Sequence, residues 1–272
     1  MGNGDAASLI AGSVAALALA GCAPLAPGFY DAAPIADPKL AGCAWTGRYT
    51  PPVVYLESDF IRTFFEPADL AAYRKAIPAP FEMPSRPLVR VSVLHFYKME
   101  NGPVYYESDI SVLAVHNGQP GWFVLKMPVT DGDACAGGRN ALGTPKVMRR
   151  VTLERGADRY VGTSYNRGGV TPELTLTMDV GEPGEPAREV LRFVSPFSEL
   201  YLLNGRVLRA GGLRQSIEDL ESKVPGVWKV RLGEGRLEFP RDEESLLQRL
   251  GVGRPLAAYW GQLHFRYSIT PR

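Results

Sequence analysis

Histidine and cysteine are scarce in this chain, three of each among 272 residues, and neither type is arranged as a metal site. Cys22, Cys43 and Cys135 show no metal-ligand spacing, and His95, His116 and His264 stand singly in strand or turn patterns, where we read them as structural. There is no Gly-x-Ser-x-Gly elbow, no His-Glu-x-x-His pair and no glycine-rich phosphate loop, so hydrolase, zinc and nucleotide readings lose support. Asp131-Gly132-Asp133 lacks the further acidic positions of a calcium loop and reads as a turn. An excess of either charge is also missing. Thirty basic residues face 29 acidic ones spread along the chain, for a net charge of +1, which provides no basic stripe and argues against nucleic acid as a partner.

Apolar residues make up 45% of the chain, enough for a large core. The apolar run at residues 9–20 is shorter than the roughly 20 residues a membrane-spanning helix needs, but it has the length of a signal-peptide core. Leu19-Ala20-Gly21-Cys22 closes it and resembles the lipobox of bacterial lipoproteins, in which the cysteine is acylated. We therefore expect a signal peptide at 1–22, lipidation of Cys22, a Pro/Ala/Gly-rich tether at 23–52 and one folded domain at 53–272. This organisation implies export and anchoring on the periplasmic side of a bacterial membrane, with a cytoplasmic location as the alternative. Cys43 and Cys135 then either pair in an oxidising compartment or stay free.

Periodicity makes the domain mainly β. Runs rich in β-branched and aromatic residues at 88–97, 104–115, 122–127, 148–153, 160–165 and 174–178 are separated by Gly, Pro, Asn and Asp turns, and Asn117-Gly118 signals a hairpin. Further strands are expected at 191–194, 199–208, 227–232 and 262–269. Helices are expected at 67–76, with proline in the first turn, and around 214–223 and 243–250. The pattern predicts a mainly antiparallel barrel with a few helices, an α+β chain dominated by strands. In the strand at 104–115, alternation puts Tyr105, Glu107 and Asp109 on one face. Tyr259, Trp260 and Tyr267 read as core aromatics that could also close a pocket.

The chemistry centres on Gly138-Arg139-Asn140-Ala141-Leu142-Gly143-Thr144-Pro145-Lys146-Val147, which sets one lysine behind a turn among uncharged residues. A lysine amine has a pKa of about 10.4 in water, and burial can lower it far enough to give a neutral nucleophile. This segment resembles the acetoacetate decarboxylase family, in which a Gly-Arg stretch ends in Pro-Lys and the lysine forms an imine with a ketone. Leu88-Val89-Arg90-Val91, Tyr105-Tyr106-Glu107-Ser108 and Val161-Gly162-Thr163 extend the resemblance, without a gap between the first strand and Lys146. It covers roughly residues 54–194. It implies a cone-shaped antiparallel β-barrel with a few short covering helices, Lys146 in its interior, a Glu107 carboxylate that moves protons, and Arg139 as that carboxylate's partner. It also implies a homo-oligomer. Imine chemistry requires neither a metal nor an organic cofactor.

The chain departs from the family at three positions. Val147 replaces a second lysine, so desolvation is expected to lower the Lys146 pKa; Ser92 replaces a second glutamate; and the family's carboxylate-binding arginine aligns near Asp59, which leaves Arg62 as the nearest candidate. We take Arg62, Ser92 and Tyr105 as candidate substrate-binding residues. The expected activity is a Schiff-base carbon-carbon lyase that decarboxylates a small β-keto acid. One alternative is aldol or dehydration chemistry on a 2-keto acid with the same lysine. The other is a lipid-anchored binding protein that keeps the pocket without turnover.

Overall fold

The structure, a computed structural model, describes residues 42–49, 53–195, 197–210 and 228–269. The expected leader with Cys22, most of the tether and the helix anticipated at 214–223 lie outside the described residues, as do the side chains of His264 and Tyr267.

The long strand β1 (Val53–Pro67) is followed by the short helix α1 (Leu70–Lys75) and the meander β2 (Val89–Glu100), β3 (Tyr105–His116) and β4 (Gln119–Val129). Helix α2 (Gly132–Leu142) leads into β5 (Lys146–Met148), then β6 (Val151–Arg155), β7 (Arg159–Tyr165) and β8 (Pro172–Val180). Helix α3 (Glu185–Val194), the hairpin β9 (Glu199–Leu203) and β10 (Arg206–Ala210), strand β11 (Trp228–Glu238), the short α4 (Leu246–Arg249) and the long β12 (Val252–Ile269) follow among the described residues.

The twelve strands of the described residues form one sheet in the order β10-β9-β4-β3-β2-β1-β12-β11-β8-β7-β6, with β5 beside β4. Pairing is antiparallel except where β4 meets β5 and β9. The sheet curls until β6 lies over β2 and β3. The mainly β, barrel-like expectation therefore holds. Alternation divides each central strand between two apolar layers. Ile61, Val91, Val93, Ile110 and Val112 face the layer roofed by β6 to β8, whereas Phe60, Phe64, Leu94, Leu113 and Trp122 face the other, which α3 covers with Val190, Leu191 and Val194. Each such fully buried side chain contributes about 1.5–3 kcal/mol relative to exposure.

Strand β1 was not among the expected elements, the run at 148–153 is divided between β5 and β6, and other expected boundaries also change. The strand at 191–194 is the last turn of α3, whose amphipathic face seals the second layer. The strand at 199–208 is a hairpin, broken by Asn204 and Gly205 at φ 51° and 75°. The helix expected from Pro67 begins later, because Asp69 caps α1 by accepting from the amides of Ala71 and Ala72. Asp131-Gly132-Asp133 opens α2: the Asp131 side chain accepts from the Ala134 amide, and Gly143 ends the helix at φ 68°.

Candidate active site

Helix α2 and strand β5 place the lysine. At the end of α2 the amides of Gly143 and Thr144 return to the carbonyls of Arg139 and Gly138, which turns the chain sharply. Pro145 and Lys146 then run beside β4, with Lys146 in register with Met127. Gly138 makes room for it. A β-carbon at Gly138 would lie 2.8 Å from both Cδ and Cε of Lys146 and 2.7 Å from the Thr144 hydroxyl, so only glycine lets the helix pass this close to the side chain.

Lys146 is 6% exposed and Glu107 likewise 6%, and Nζ lies 2.8 Å from Glu107 Oε2. The ammonium also donates to the Tyr105 hydroxyl at 3.4 Å, which in turn is 3.0 Å from the Tyr55 hydroxyl. Burial pulls the lysine down, but the charge of Glu107, helped by Tyr55 and Glu199, outweighs it and holds Lys146 above its ordinary value. This corrects the expectation of a lysine made neutral by desolvation, because a carboxylate sits where that expectation assumed apolar surroundings. Burial likewise pushes Glu107 above the usual carboxylate range, with Lys146 opposing and Glu199 and Asp109 reinforcing. A raised carboxyl leans toward a neutral pair and a raised lysine toward a charged one. The direct contact decides for the charged pair, and the raised carboxyl makes Glu107 a better acceptor for the lysine's proton.

Arg139 does not take its expected place. It is exposed on α2 and donates through Nε to the Lys146 carbonyl at 2.7 Å, so it braces the lysine's backbone while Lys146 itself pairs with Glu107. The reason is helical: Arg139 follows Gly138, and the side that Gly138 turns to the lysine is not the side Arg139 projects from.

The remaining candidates, Arg62 and Ser92, meet on β1 and β2, on the far side of β3 from the lysine. Ser92 stands opposite Arg62 on β1 and Asp109 on β3. Arg62 Nε donates to the Ser92 hydroxyl at 2.9 Å, its Nη1 reaches the Tyr259 hydroxyl at 3.3 Å, and its guanidinium lies over the Phe60 ring. Asp59, three residues earlier, faces the opposite layer, where it binds Arg155. Arg62 is thus the arginine of this segment on the lysine's side of the sheet.

Sequence reasoning missed a buried ionic group on the same face. Arg90, 1% exposed, donates to Asp109 at 3.0 Å, Ser111 at 3.0 Å and Glu199 at 2.9 Å, and Tyr201 donates to Glu199. Burial would push Asp109 up, yet Arg90 and then Arg62 hold it below the usual carboxylate range. The available signal was Arg90 itself, a charge within an apolar run on the inward period. Glu199 comes from a distant hairpin and left no such signal. Of the structural readings, His95 stacks on Tyr106 at 4.0 Å and His116 packs edge-on to Phe81. Tyr259 is buried beside Phe60 and Phe64, while Trp260 stacks on Tyr160 in the other layer.

Comparison with known proteins identifies the family and the fold. The family model for acetoacetate decarboxylase matches residues 45–270. An acetoacetate decarboxylase of Burkholderia mallei (strain NCTC 10229) is 32% identical over 95 residues, 35% of this chain and 38% of that protein. One of Burkholderia multivorans (strain ATCC 17616 / 249) is 29% identical over 112 residues, 41% and 45% of the two chains. These alignments span less than half of the curated relatives' length. Among solved structures, acetoacetate decarboxylase from Legionella pneumophila superposes with a TM-score of 0.60 at 18% identity, covering 84% of this chain and 91% of that one. The enduracididine biosynthesis enzyme MppR complexed with pyruvate gives 0.55 at 14% identity, covering 82% and 92%. At these identities the structural likeness speaks for the fold.

Proposed function

Since the chain belongs to the acetoacetate decarboxylase family, we propose that it is a Schiff-base-forming lyase that decarboxylates a small β-keto acid through an imine on Lys146. The observation that carries this reading is the buried 2.8 Å contact between Lys146 and Glu107. At rest the pair is charged. As a ketone arrives, Glu107 takes the proton from Nζ, the free amine adds to the carbonyl carbon, and loss of water leaves an iminium. The bond to the carboxylate then breaks, carbon dioxide leaves, and its electron pair moves into the iminium to give an enamine. A proton returned to carbon and hydrolysis of the imine release the ketone and restore Lys146.

Arg62, steadied by Ser92 and Tyr259, is the proposed anchor for the substrate carboxylate. Burial and the neighbouring Tyr55 and Glu107 keep the Tyr105 phenol raised well above its ordinary value, so it stays a proton donor beside the nitrogen, able to help water leave. That donor also favours a second reading, aldol or dehydration chemistry on a 2-keto acid by the same imine; MppR, of the same fold, has been captured with a condensation product of pyruvate and an aldehyde. Product analysis separates the readings. A β-keto acid labelled in its carboxyl group should release labelled carbon dioxide, whereas dependence on an added aldehyde with retention of the label would replace decarboxylation by condensation. Binding without either product would favour the non-catalytic pocket.

We also propose that the protein is exported, anchored through Cys22 and assembled as a homo-oligomer. The Cys43–Cys135 disulfide supports export, since such bonds persist mainly in oxidising compartments.

A further inference from the structure

Residues 42–48 run as a strap along the outer side of α2. Cys43 is joined to Cys135, 92 residues away, with the Cα atoms 5.0 Å apart. The Thr46 amide donates to Asp133 Oδ1 at 2.6 Å and its hydroxyl to Oδ2 at 2.9 Å, while Arg48 pairs with Asp131 at 3.2 Å. The Gly42 carbonyl lies 3.1 Å from where a β-carbon of Gly132 would sit, so the strap runs directly against the helix. Beneath it Trp45 of the strap, Val53, Tyr55, Ala134, Gly137 and Gly138 help to line a small cavity of about 20 Å³. Two residues of that wall back onto the lysine. Gly138 touches the Lys146 methylenes, and Tyr55 reaches Nζ through the Tyr105 hydroxyl. The strap is thus pinned at both ends to the helix that walls in the buried amine.

We propose that the Cys43–Cys135 disulfide is a redox latch on Lys146: formed, it holds the strap and α2 against the lysine, and broken, it lets them part and admits small molecules to the amine. Cys43 is half-buried whereas Cys135 is fully buried, so an external dithiol attacks the Cys43 sulfur. The sulfur-sulfur bond breaks, Cys135 leaves as a thiolate and takes a proton, and the reductant's second thiol resolves the mixed disulfide. Two electrons and two protons pass to the protein, and the reductant becomes a disulfide. This inference stands on the enclosure of Lys146 and does not need the imine reaction, so the two fail separately.

The test compares the oxidised chain with the same chain reduced by dithiothreitol and capped with iodoacetamide. Both are labelled with limiting acetic anhydride and mapped by mass spectrometry. Labelling of Lys146 is expected to rise about tenfold on reduction, the scale of a local opening, while the exposed Lys75 and Lys229 keep their rates. Thr46→Val, with the disulfide intact, is expected to raise Lys146 labelling about fivefold through loss of the hydroxyl's hydrogen bond to Asp133, the backbone amide's bond remaining. An unchanged Lys146 rate after reduction overturns the latch, and so does an equal rise at every lysine, which signals general unfolding.

Discussion

Glu107 is the residue on which the chemistry turns, because it is both the reason Lys146 is protonated at rest and the base that can relieve it. Removing its charge separates the two roles. In Glu107→Gln the burial of Lys146 is no longer opposed by its nearest carboxylate, so imine formation is expected to extend to lower pH than in the parent. Turnover should nevertheless fall by about 10²- to 10⁴-fold through loss of the proton carrier. Borohydride trapping across pH and single-turnover kinetics check the two halves, and an unshifted trapping profile would mean that the ion pair does not control the lysine. Both residues were legible in the sequence, since Pro145-Lys146 and Tyr105-x-Glu107-Ser108 are local strings. The contact between Lys146 and Glu107 was not, because it depends on how β5 lies beside β4, and that left Arg139 as the only visible partner.

Among the elements, α2 was hidden for a physical reason. Gly137 and Gly138 lower helix propensity by about 1 kcal/mol each relative to alanine, and Asp131-Gly132 reads equally as turn or cap. The structure explains the second glycine. Gly138→Ala should improve the helix, yet its methyl group would press on Lys146 and Thr144; the expected result is an unchanged or higher melting temperature with loss of imine trapping. A variant that traps normally would remove the steric argument. On β2 and β3 the critical element contact is ionic. Arg90→Leu leaves the buried Asp109 and the half-buried Glu199 without their shared cation and is expected to cost about 3–5 kcal/mol in denaturant unfolding. Alternation revealed the shared face of Glu107 and Asp109 in advance, whereas Glu199 arrives from β9 through the parallel contact of Trp122 with Glu199, which no local pattern announces.

At the scale of the whole molecule, the mainly β content and the meander of β2 to β4 followed from period-two alternation and turn residues, whereas β1 was not anticipated, and its long-range pairing with β12 joins the two halves of the sheet. The same buried face makes stability depend on pH in two opposite ways. Glu107, raised by burial, binds its proton more tightly folded than unfolded, so stability rises as pH falls through its raised value. Asp109, held low by Arg90 and Arg62 against burial, contributes stability above the ordinary carboxylate value that is lost as pH falls through its depressed one. Unfolding free energy measured from neutral to acid pH should therefore rise and then fall, and Asp109→Asn should flatten the acid limb. A curve that only falls would remove Glu107's part. For the exported form, the N-terminal peptide isolated from a Gram-negative host is expected to begin at Cys22 and to carry lipid; recovery of unprocessed Met1 in the soluble cytoplasm would contradict export. The central claim is that Lys146 forms an imine with a small keto acid, and intact mass after borohydride treatment of both the oxidised and the reduced chain with a panel of keto acids, followed by peptide mapping, tests it most directly. The account predicts one reduced adduct per chain, on Lys146 and absent from Lys146→Ala; an adduct on another lysine, or none across the panel, contradicts it.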